Sequence, residues 1–362
     1  MVIHHLEGSI GQPGGMAEIS SAYGVRLRTD VVSWYVGGDP DAEAHEFAAS
    51  SGGVVLARNA GFSAGRRLRR MGWKGRLWLD PDTSKDVEPP SLFPNQRDWA
   101  ELQREVGVDT LFTPGGWLTA CDIPAMWAAI DRQAEWARKE GGAVVNLVAH
   151  WTWLTTGLDA LVSRLSELDG APVAIAFEDR GDPLARRGAV AGLIRLARSI
   201  PNLAVLRCDV GAIGAVANGA AHGSVGRTTT LRHVSTGAGG TRGPRYPSVF
   251  WPATMDWYLG PKLHRYATWD TQGALRCDLA GCDGRDLGRF GRVEDAAEAR
   301  QHNRHALAAL VAEVLKPSPG RRAGEFAQRC RDATKRSMEL ATAFKAPDLR
   351  PSPQIEAWST TA

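Results

Sequence analysis

Short apolar runs alternate with amphipathic stretches along the first two thirds of the chain. Several runs, such as VVNLV at 144–148 and VAIAF at 173–177, are almost continuously apolar, which is typical of parallel strands buried on both faces. The runs predict strands at 31–35, 53–57, 76–79, 110–112, 143–148, 173–177 and 204–208, with a less clear eighth at 231–234 or 249–251. The amphipathic stretches predict helices at 42–50, 64–71, 99–106, 123–139, 158–168, 184–200 and 212–218.

Repeated strand–helix units with about eight strands predict an α/β fold of the closed (β/α)8 type, a TIM-like barrel. A doubly wound open sheet is the alternative. It has less support, because no glycine-rich phosphate fingerprint follows the first predicted strand.

The alternation of apolar runs and amphipathic stretches ends after residue 234. This change and a later linker signal divide the chain into three regions. Residues 1–235 form the main part of the barrel, and residues 236–315 contain a Gly/Ser/Arg-rich loop and a unit rich in Cys and His. The segment KPSPG at 316–320 is typical of a linker. Residues 316–362 are therefore expected to comprise a linker, a basic helix at 324–344 and a loosely held Pro/Ser-rich tail.

The composition is that of a soluble globular protein, with 43% hydrophobic and 23% charged residues. No apolar run reaches the ~18–20 residues of a membrane-spanning helix, so no membrane association is expected. The first 25 residues lack the pattern of a secretory signal. The five thinly scattered cysteines do not suggest a disulfide framework. These features predict a cytoplasmic location.

Charge is almost balanced, with a net value of +3, but arginine is frequent after residue 226. One interpretation is contact with a nucleic-acid backbone. The other is the preference of a GC-rich genome for arginine on solvated faces, and the sequence leaves both open. The candidate phosphate-binding residues are Arg227, Arg232, His233 and Arg242.

Polar and aromatic residues follow the predicted strands, where a barrel places its functional groups. Asp80 follows the third strand, and Asp209 follows the strand at 204–208. Turns also attract Asp, Gly and Pro, and Asp209 would equally suit the N-cap of the next helix. The candidate stacking surfaces for a flat ligand are Trp117, Trp151 and Trp153.

Three strong zinc ligands lie within 26 residues: Cys277, Cys282 and His302. Zinc prefers four N/S ligands in a tetrahedron, so this stretch predicts a zinc site with one ligand unidentified. His305 is a possible fourth ligand, and Asp278 and Asp283 are oxygen alternatives. Two buried thiols in a turn are the alternative to a metal site.

The order of these features resembles the tRNA-guanine transglycosylase superfamily, including relatives that place 7-deazaguanines in DNA. Those proteins are barrels with a C-x-C-x2-C unit followed by a helix bearing His-Asn. Here Cys277, Cys282 and His302-Asn303 match, and Leu279 occupies the position of the middle cysteine. LWLD at 77–80 matches the strand before an early catalytic aspartate, although Pro-Asp-Thr follows in place of Ser-Gly-Gly. Ser224 stands near the position of the family's aspartate nucleophile. The resemblance covers roughly residues 50–310.

The resemblance implies exchange of a guanine in nucleic acid for a 7-deazaguanine, with DNA favoured over tRNA and zinc as the metal. Such chemistry needs a carboxylate facing the sugar and a second group that handles the purine. We expect Asp80 as the acid/base and Asp209 as the sugar-facing carboxylate. Two alternatives stay open: a catalytically degenerate nucleic-acid-binding subunit of a modification or defence complex, and a barrel enzyme acting on a small nucleobase-like ligand.

Overall fold

The computed structural model describes residues 27, 29, 31–36, 53–81, 96–235, 246–279 and 281–361. The predicted helix at 42–50 lies outside the described residues, and so does the phosphate-binding candidate Arg242.

Eight parallel strands form one curled sheet in the ring order β3-β2-β1-β8-β7-β6-β5-β4. The strands are β1 Val31–Val36, β2 Val54–Ala57, β3 Leu77–Asp80, β4 Gly116–Leu118, β5 Val145–His150, β6 Val173–Glu178, β7 Leu203–Leu206 and β8 His222–Gly226. In the described residues the ladder is interrupted between β3 and β4, where the Asp109 N–H donates to the Leu77 carbonyl at 3.1 Å. This order is that of a TIM barrel, so the predicted α/β barrel architecture is confirmed at that level.

Two strand predictions were wrong in position. Residues 110–112 contribute a single bridge, Phe112 to Val144, and the strand that pairs with β5 is β4. The eighth strand is β8, which neither candidate range included. Its glycines hide it from a hydropathy pattern, yet they are required. A Cβ on Gly223 would lie 2.7 Å from the Ala212 carbonyl oxygen, and one on Gly226 would lie 2.2 Å from the Leu231 backbone.

Helices cover the outer face of the sheet close to their predicted positions. Those of the barrel are α1 Arg58–Arg70, α2 Gln96–Val106, α3 Ile123–Lys139, α4 Leu158–Ser166, α5 Ala189–Ser199, α6 Val210–Ala217 and α7 Thr229–Arg232. Short 3-10 helices lie at Trp151–Leu154 and Pro183–Ala185. Helix α7 therefore occupies the first half of the range 231–234 that was one candidate for the eighth strand, and Val234 forms a single bridge with Glu178. Among the described residues no helix is long and apolar enough to cross a membrane.

Alternation along the strands divides the core in two. Side chains on one face pack under the helices, and those on the other face fill the interior of the curled sheet. The interior cluster includes Tyr35, Val55, Trp78, Val148 and Leu206, all buried. Because positions 78 and 80 share a face, Asp80 is directed into this interior.

The C-terminal region packs against the barrel as a further layer. A hairpin of β9 Ser248–Trp251 and β10 Asp256–Leu259 precedes α8 Gly260–Ala267, so the range 249–251 does not belong to the barrel sheet. The two-residue strands β11 Arg276–Cys277 and β12 Arg285–Asp286 frame the cysteine turn. Three helices follow: α9 Ala296–Leu315, α10 Pro319–Ala343 and α11 Pro353–Ser359.

The expected linker and loose tail are both corrected by the structure. Helix α10 begins at Pro319, and the Arg322 guanidinium donates to the Pro317 carbonyl at 3.0 Å, so residues 316–318 form a tight turn between two helices. Helix α11 buries Ile355 and Trp358 completely, and Trp358 meets Phe326 edge-to-face at 5.2 Å. These large apolar contacts hold the tail in place.

Candidate active site and metal cluster

A cleft of about 470 Å³ lies at the carboxyl ends of β4, β5 and β6. His150 and Glu178 are register partners at the last position of β5 and β6, so their side chains lie side by side at this edge. Trp117, on β4, is the register partner of Val148, which precedes His150 by two residues on β5. The residues that line the cleft are Trp117, Thr119, Ala120, His150, Glu178, Asp179, Arg180 and Arg186.

An ion pair between Asp179 and Arg186 forms one wall of the cleft. Arg186 donates through Nε and Nη2 to the two carboxylate oxygens, at 2.8 and 3.0 Å, and the Arg180 N–H donates to Oδ1 at 2.7 Å. Burial raises the pKa of Asp179, but these donors outweigh it and the net shift is downward. The Arg186 guanidinium also lies 5.4 Å from the Trp151 ring centroid. Trp151 therefore supports this ion pair at the rim.

His150 faces the same cleft as a neutral ring. The Thr152 N–H donates to its Nδ1 at 3.4 Å, which leaves the ring proton on Nε2. Burial lowers the pKa of His150, and the Asp179 carboxylate only partly opposes that shift. A neutral imidazole at this position can accept a proton as a general base.

Asp80 lies in the interior of the barrel with both carboxylate oxygens engaged. The Tyr35 hydroxyl donates to Oδ2 at 2.6 Å, and the Asn146 amide donates to Oδ1 at 3.1 Å. Asp80 is only 4% exposed, so these donors replace the water that a free carboxylate would bind. Asp80 thus lies at the end of β3, as expected, and is held by donors from β1 and β5.

Arg207 covers this network. Its guanidinium lies 5.2 Å from the Tyr35 ring centroid and donates to the Thr230 and His233 carbonyls at 3.1 and 3.2 Å. The Arg207 N–H donates to Ser224 Oγ at 3.1 Å. Ser224, which stands near the nucleophile position of the resembled family, is completely buried and engaged with this backbone. It is therefore a packing residue.

Asp209 lies three residues after β7 in a strained backbone conformation, with φ 50° and ψ −140°. It stands at the N-cap position of α6, but its side chain makes no capping hydrogen bond. Instead the Trp257 indole N–H donates to Oδ1 at 2.6 Å, and His233 Nε2 lies 4.0 Å from Oδ2. Asp209 therefore contacts the β9–β10 hairpin and is not among the residues that line the cleft.

Asp182 and Asp256 form an acidic region together with Asp209, because their carboxylates influence one another. Burial raises the pKa of Asp182 to about 7, with the carboxylates of Asp209 and Asp256 adding to the effect against the Leu184 N–H. Burial likewise raises the pKa of Asp256 to about 6. Both groups are thus partly protonated near neutral pH.

The structure does not support base stacking by Trp153 or phosphate binding by Arg232, because both side chains are buried. Trp153 is completely buried and donates to the Thr119 carbonyl at 2.7 Å, so it is a core residue and offers no surface for stacking a base. Arg232 is 4% exposed, and its guanidinium lies 3.6 Å from the Trp257 ring centroid and donates to Thr229 and Ser248. An arginine buried in this way is a packing residue and not a phosphate contact.

The other two described phosphate-binding candidates lie near the surface. Arg227 is half-buried, and its N–H donates to the Tyr35 carbonyl at 3.0 Å. The His233 side chain is 20% exposed, and burial lowers its pKa against the attraction of Asp209.

The fold brings Cys277, Cys282 and His302 together, with their ligand atoms within 4.8 Å of one another. His302 Nδ1 lies 3.6 Å from the Cys277 sulfur and 3.2 Å from the Cys282 sulfur. Tetrahedral zinc places sulfur and nitrogen ligands about 3.6 Å apart, so the three residues could hold a metal ion. His302 Nε2 donates to the Phe250 carbonyl at 2.7 Å, which directs the Nδ1 lone pair at the sulfurs.

Several site residues were missed from the sequence. Tyr35, Asn146 and Arg186 contact the predicted or cleft-lining acids, and Asp182 and Asp256 form the acidic region beside Asp209. The strand pattern carried a signal for Tyr35 and Asn146, because each is a hydrogen-bonding side chain within an apolar strand.

These elements define the class of the protein: an α/β barrel-type protein with a polar cleft at the carboxyl ends of its strands and a separate Cys/His cluster. No known family model and no curated protein matches the sequence.

Solved structures of tryptophan synthase from Pyrococcus furiosus are similar to this chain. One, described in work on the α2β2 complex, is 17% identical, covers 55% of this chain and 88% of its own, and has a TM-score of 0.37. A mutant alpha-subunit is 15% identical over the same shares of each chain, also with a TM-score of 0.37. At such low identities and TM-scores, the likeness carries no argument about fold or function beyond the barrel order of the strands.

Proposed function

We propose that this protein is a transglycosylase-like enzyme that exchanges a guanine base in nucleic acid for a 7-deazaguanine. The observation that carries the proposal is Asp80, a buried carboxylate held by Tyr35 and Asn146 at the end of β3. The resemblance expects a catalytic aspartate at this place.

The second carboxylate is assigned on geometry. Cleavage of a glycosidic bond to a purine passes through an oxocarbenium-like state that a nearby carboxylate stabilises. Glu178 lines the cleft, whereas Asp209 is engaged with Trp257, so we assign the sugar-facing role to Glu178 in place of Asp209. Trp117 is the flat side chain that lines the same cleft and suits an extruded base.

Zinc at Cys277, Cys282 and His302 has a structural role in this proposal. The two cysteines belong to the turn between β11 and β12, and His302 lies on α9. A metal ion bound by all three would tie this turn to the helix and contribute to the stability of the C-terminal region.

The test is base exchange measured with labelled guanine or a 7-deazaguanine, with DNA and tRNA as separate acceptors. Asp80→Asn and Glu178→Gln should each lower kcat at least about 100-fold. Glu101→Gln is the surface control and should leave kcat unchanged. Exchange that survives in both Asp80→Asn and Glu178→Gln would overturn the assignments. Salt-dependent binding of nucleic acid without exchange would favour a degenerate binding subunit.

A second candidate function is supported by the buried Arg232 and by the size of the cleft. About 470 Å³ is within the range of small-molecule sites, and one expected phosphate contact is taken up in packing. This alternative is an enzyme on a free nucleobase-like ligand. Calorimetry that finds tight binding of free guanine and none of DNA or tRNA at low salt would support it over the polymer substrate.

A further inference from the structure

Among the described residues, the Cys/His cluster brings three ligand atoms together, one fewer than a closed structural zinc site. Leu279, at the position where the resembled family has a further cysteine, packs with the apolar core and offers no ligand atom. The fourth ligand must therefore come from another residue or from solvent. The surroundings of the cysteine turn indicate which residue it is.

His305 offers a further imidazole nitrogen beside this turn. It lies one helical turn after His302, and residues three apart on a helix share a face. Its ring lies against Gly281, the residue that precedes Cys282: a Cβ at Gly281 would be 3.2 Å from both Nδ1 and Cε1 of His305. Gly281 also has φ +84°, a conformation that suits glycine and brings the backbone close to the ring. Because Gly281 has no side chain, the His305 ring can lie against the backbone of the turn.

The oxygen alternatives are less well placed. Asp278 and Asp283 are both exposed, and a Cβ at Gly284 would lie 3.9 Å from Asp278 Oδ1. Zinc also prefers nitrogen and sulfur ligands in closed sites, and two cysteines with two histidines are a common set.

We propose that metal binding recruits His305 as the fourth ligand, which gives a closed Cys2His2 site for Zn²⁺ formed by Cys277, Cys282, His302 and His305. In the structure His305 Nε2 accepts from Arg304 at 3.1 Å, so its proton is on Nδ1. On binding, Nδ1 coordinates the metal, the ring proton moves to Nε2, and the Arg304 bond breaks. The two thiols release their protons to solvent. This site is independent of the base-exchange proposal.

The test uses the full-length protein with Co²⁺ as a spectroscopic probe, followed by competition with Zn²⁺. Wild type should show the intense thiolate-to-cobalt and d–d bands of a tetrahedral site. His305→Gln should bind Co²⁺ at least about 10-fold more weakly and with weakened d–d bands. Asp278→Asn and Asp283→Asn are the matched controls and should keep both affinity and spectrum. Cys282→Ser should lose the site.

A His305→Gln protein with unchanged affinity and spectrum would overturn the proposal, and loss in Asp278→Asn or Asp283→Asn would identify an oxygen ligand instead. Circular dichroism of each metal-free variant checks that the fold is retained. The rise in Tm on adding Zn²⁺ is a second readout, and it should be smaller in His305→Gln than in wild type. An equal rise in both proteins would contradict the assignment, because a fourth protein ligand strengthens binding to the folded state alone.

Discussion

The hydroxyl of Tyr35 donates to Asp80 Oδ2 at 2.6 Å in the interior of the barrel, across 45 positions of sequence. A buried carboxylate is costly unless donors satisfy it, and here a phenol from β1 and an amide from β5 do so. The position of Asp80 is therefore decided by three strands at once.

Tyr35→Phe should lower the free energy of unfolding by about 1–3 kcal/mol, because it removes one of the donors to a buried carboxylate. Urea denaturation at pH 7 measures the change. In an Asp80→Asn background the same substitution should cost at least about 0.5 kcal/mol less, since the charged acceptor is gone. Additive effects of the two substitutions would show that the contact contributes no coupling.

Trp257→Phe should also destabilise the protein, by about 1–3 kcal/mol. The substitution removes the indole N–H that donates to the buried Asp209 and reduces the ring surface that packs on Arg232. The matched control is Trp269→Phe, at a tryptophan that is 42% exposed, and it should stay within about 0.5 kcal/mol. Equal losses in both variants, measured by urea denaturation, would contradict this account.

Asp182 should make stability depend on pH in a defined direction. Burial raises the pKa of Asp182 from 3.8 to about 7, so the native state holds a proton that the unfolded chain has lost. Its contribution is complete below about pH 4 and disappears as pH rises through about 7.

The difference in unfolding free energy between wild type and Asp182→Asn isolates this group. Asparagine keeps an oxygen for the Leu184 N–H, so the helical turn at 183–185 is preserved. Wild type should lose about 1–3 kcal/mol relative to the variant between pH 4 and pH 8. Parallel stability profiles for the two proteins would show that Asp182 does not titrate in this range.

Trp358→Ala should cost about 3–5 kcal/mol, because Trp358 is completely buried and packs on Phe326. Thermal unfolding monitored by circular dichroism measures the loss. Glu356→Ala, on the exposed side of the same helix, is the control and should shift stability by no more than about 0.5 kcal/mol. A small effect of Trp358→Ala would favour the loosely held tail expected from composition.

The order of strands and helices was predictable because most barrel strands are apolar runs and most helices have an amphipathic period. The predicted helix at 123–139 agrees with α3 at both ends. Strand β8 was missed, since its glycines carry no hydrophobic signal and are required by the close approach of α6 and α7. The tail was misjudged for a related reason: its composition is polar, and two buried side chains hold it.

By itself the sequence determined the barrel-type order of elements and the residue types of a cluster that could hold a metal ion, because periodicity and the spacing of Cys277, Cys282 and His302 are local properties. Only the tertiary structure decided that Asp80 is bound by Tyr35, that Asp209 faces Trp257 and not the cleft, and that Trp153 and Arg232 are buried. The physical reason is that burial and hydrogen bonding depend on contacts between strands and loops that are distant in sequence. The packing of the whole chain determines those contacts.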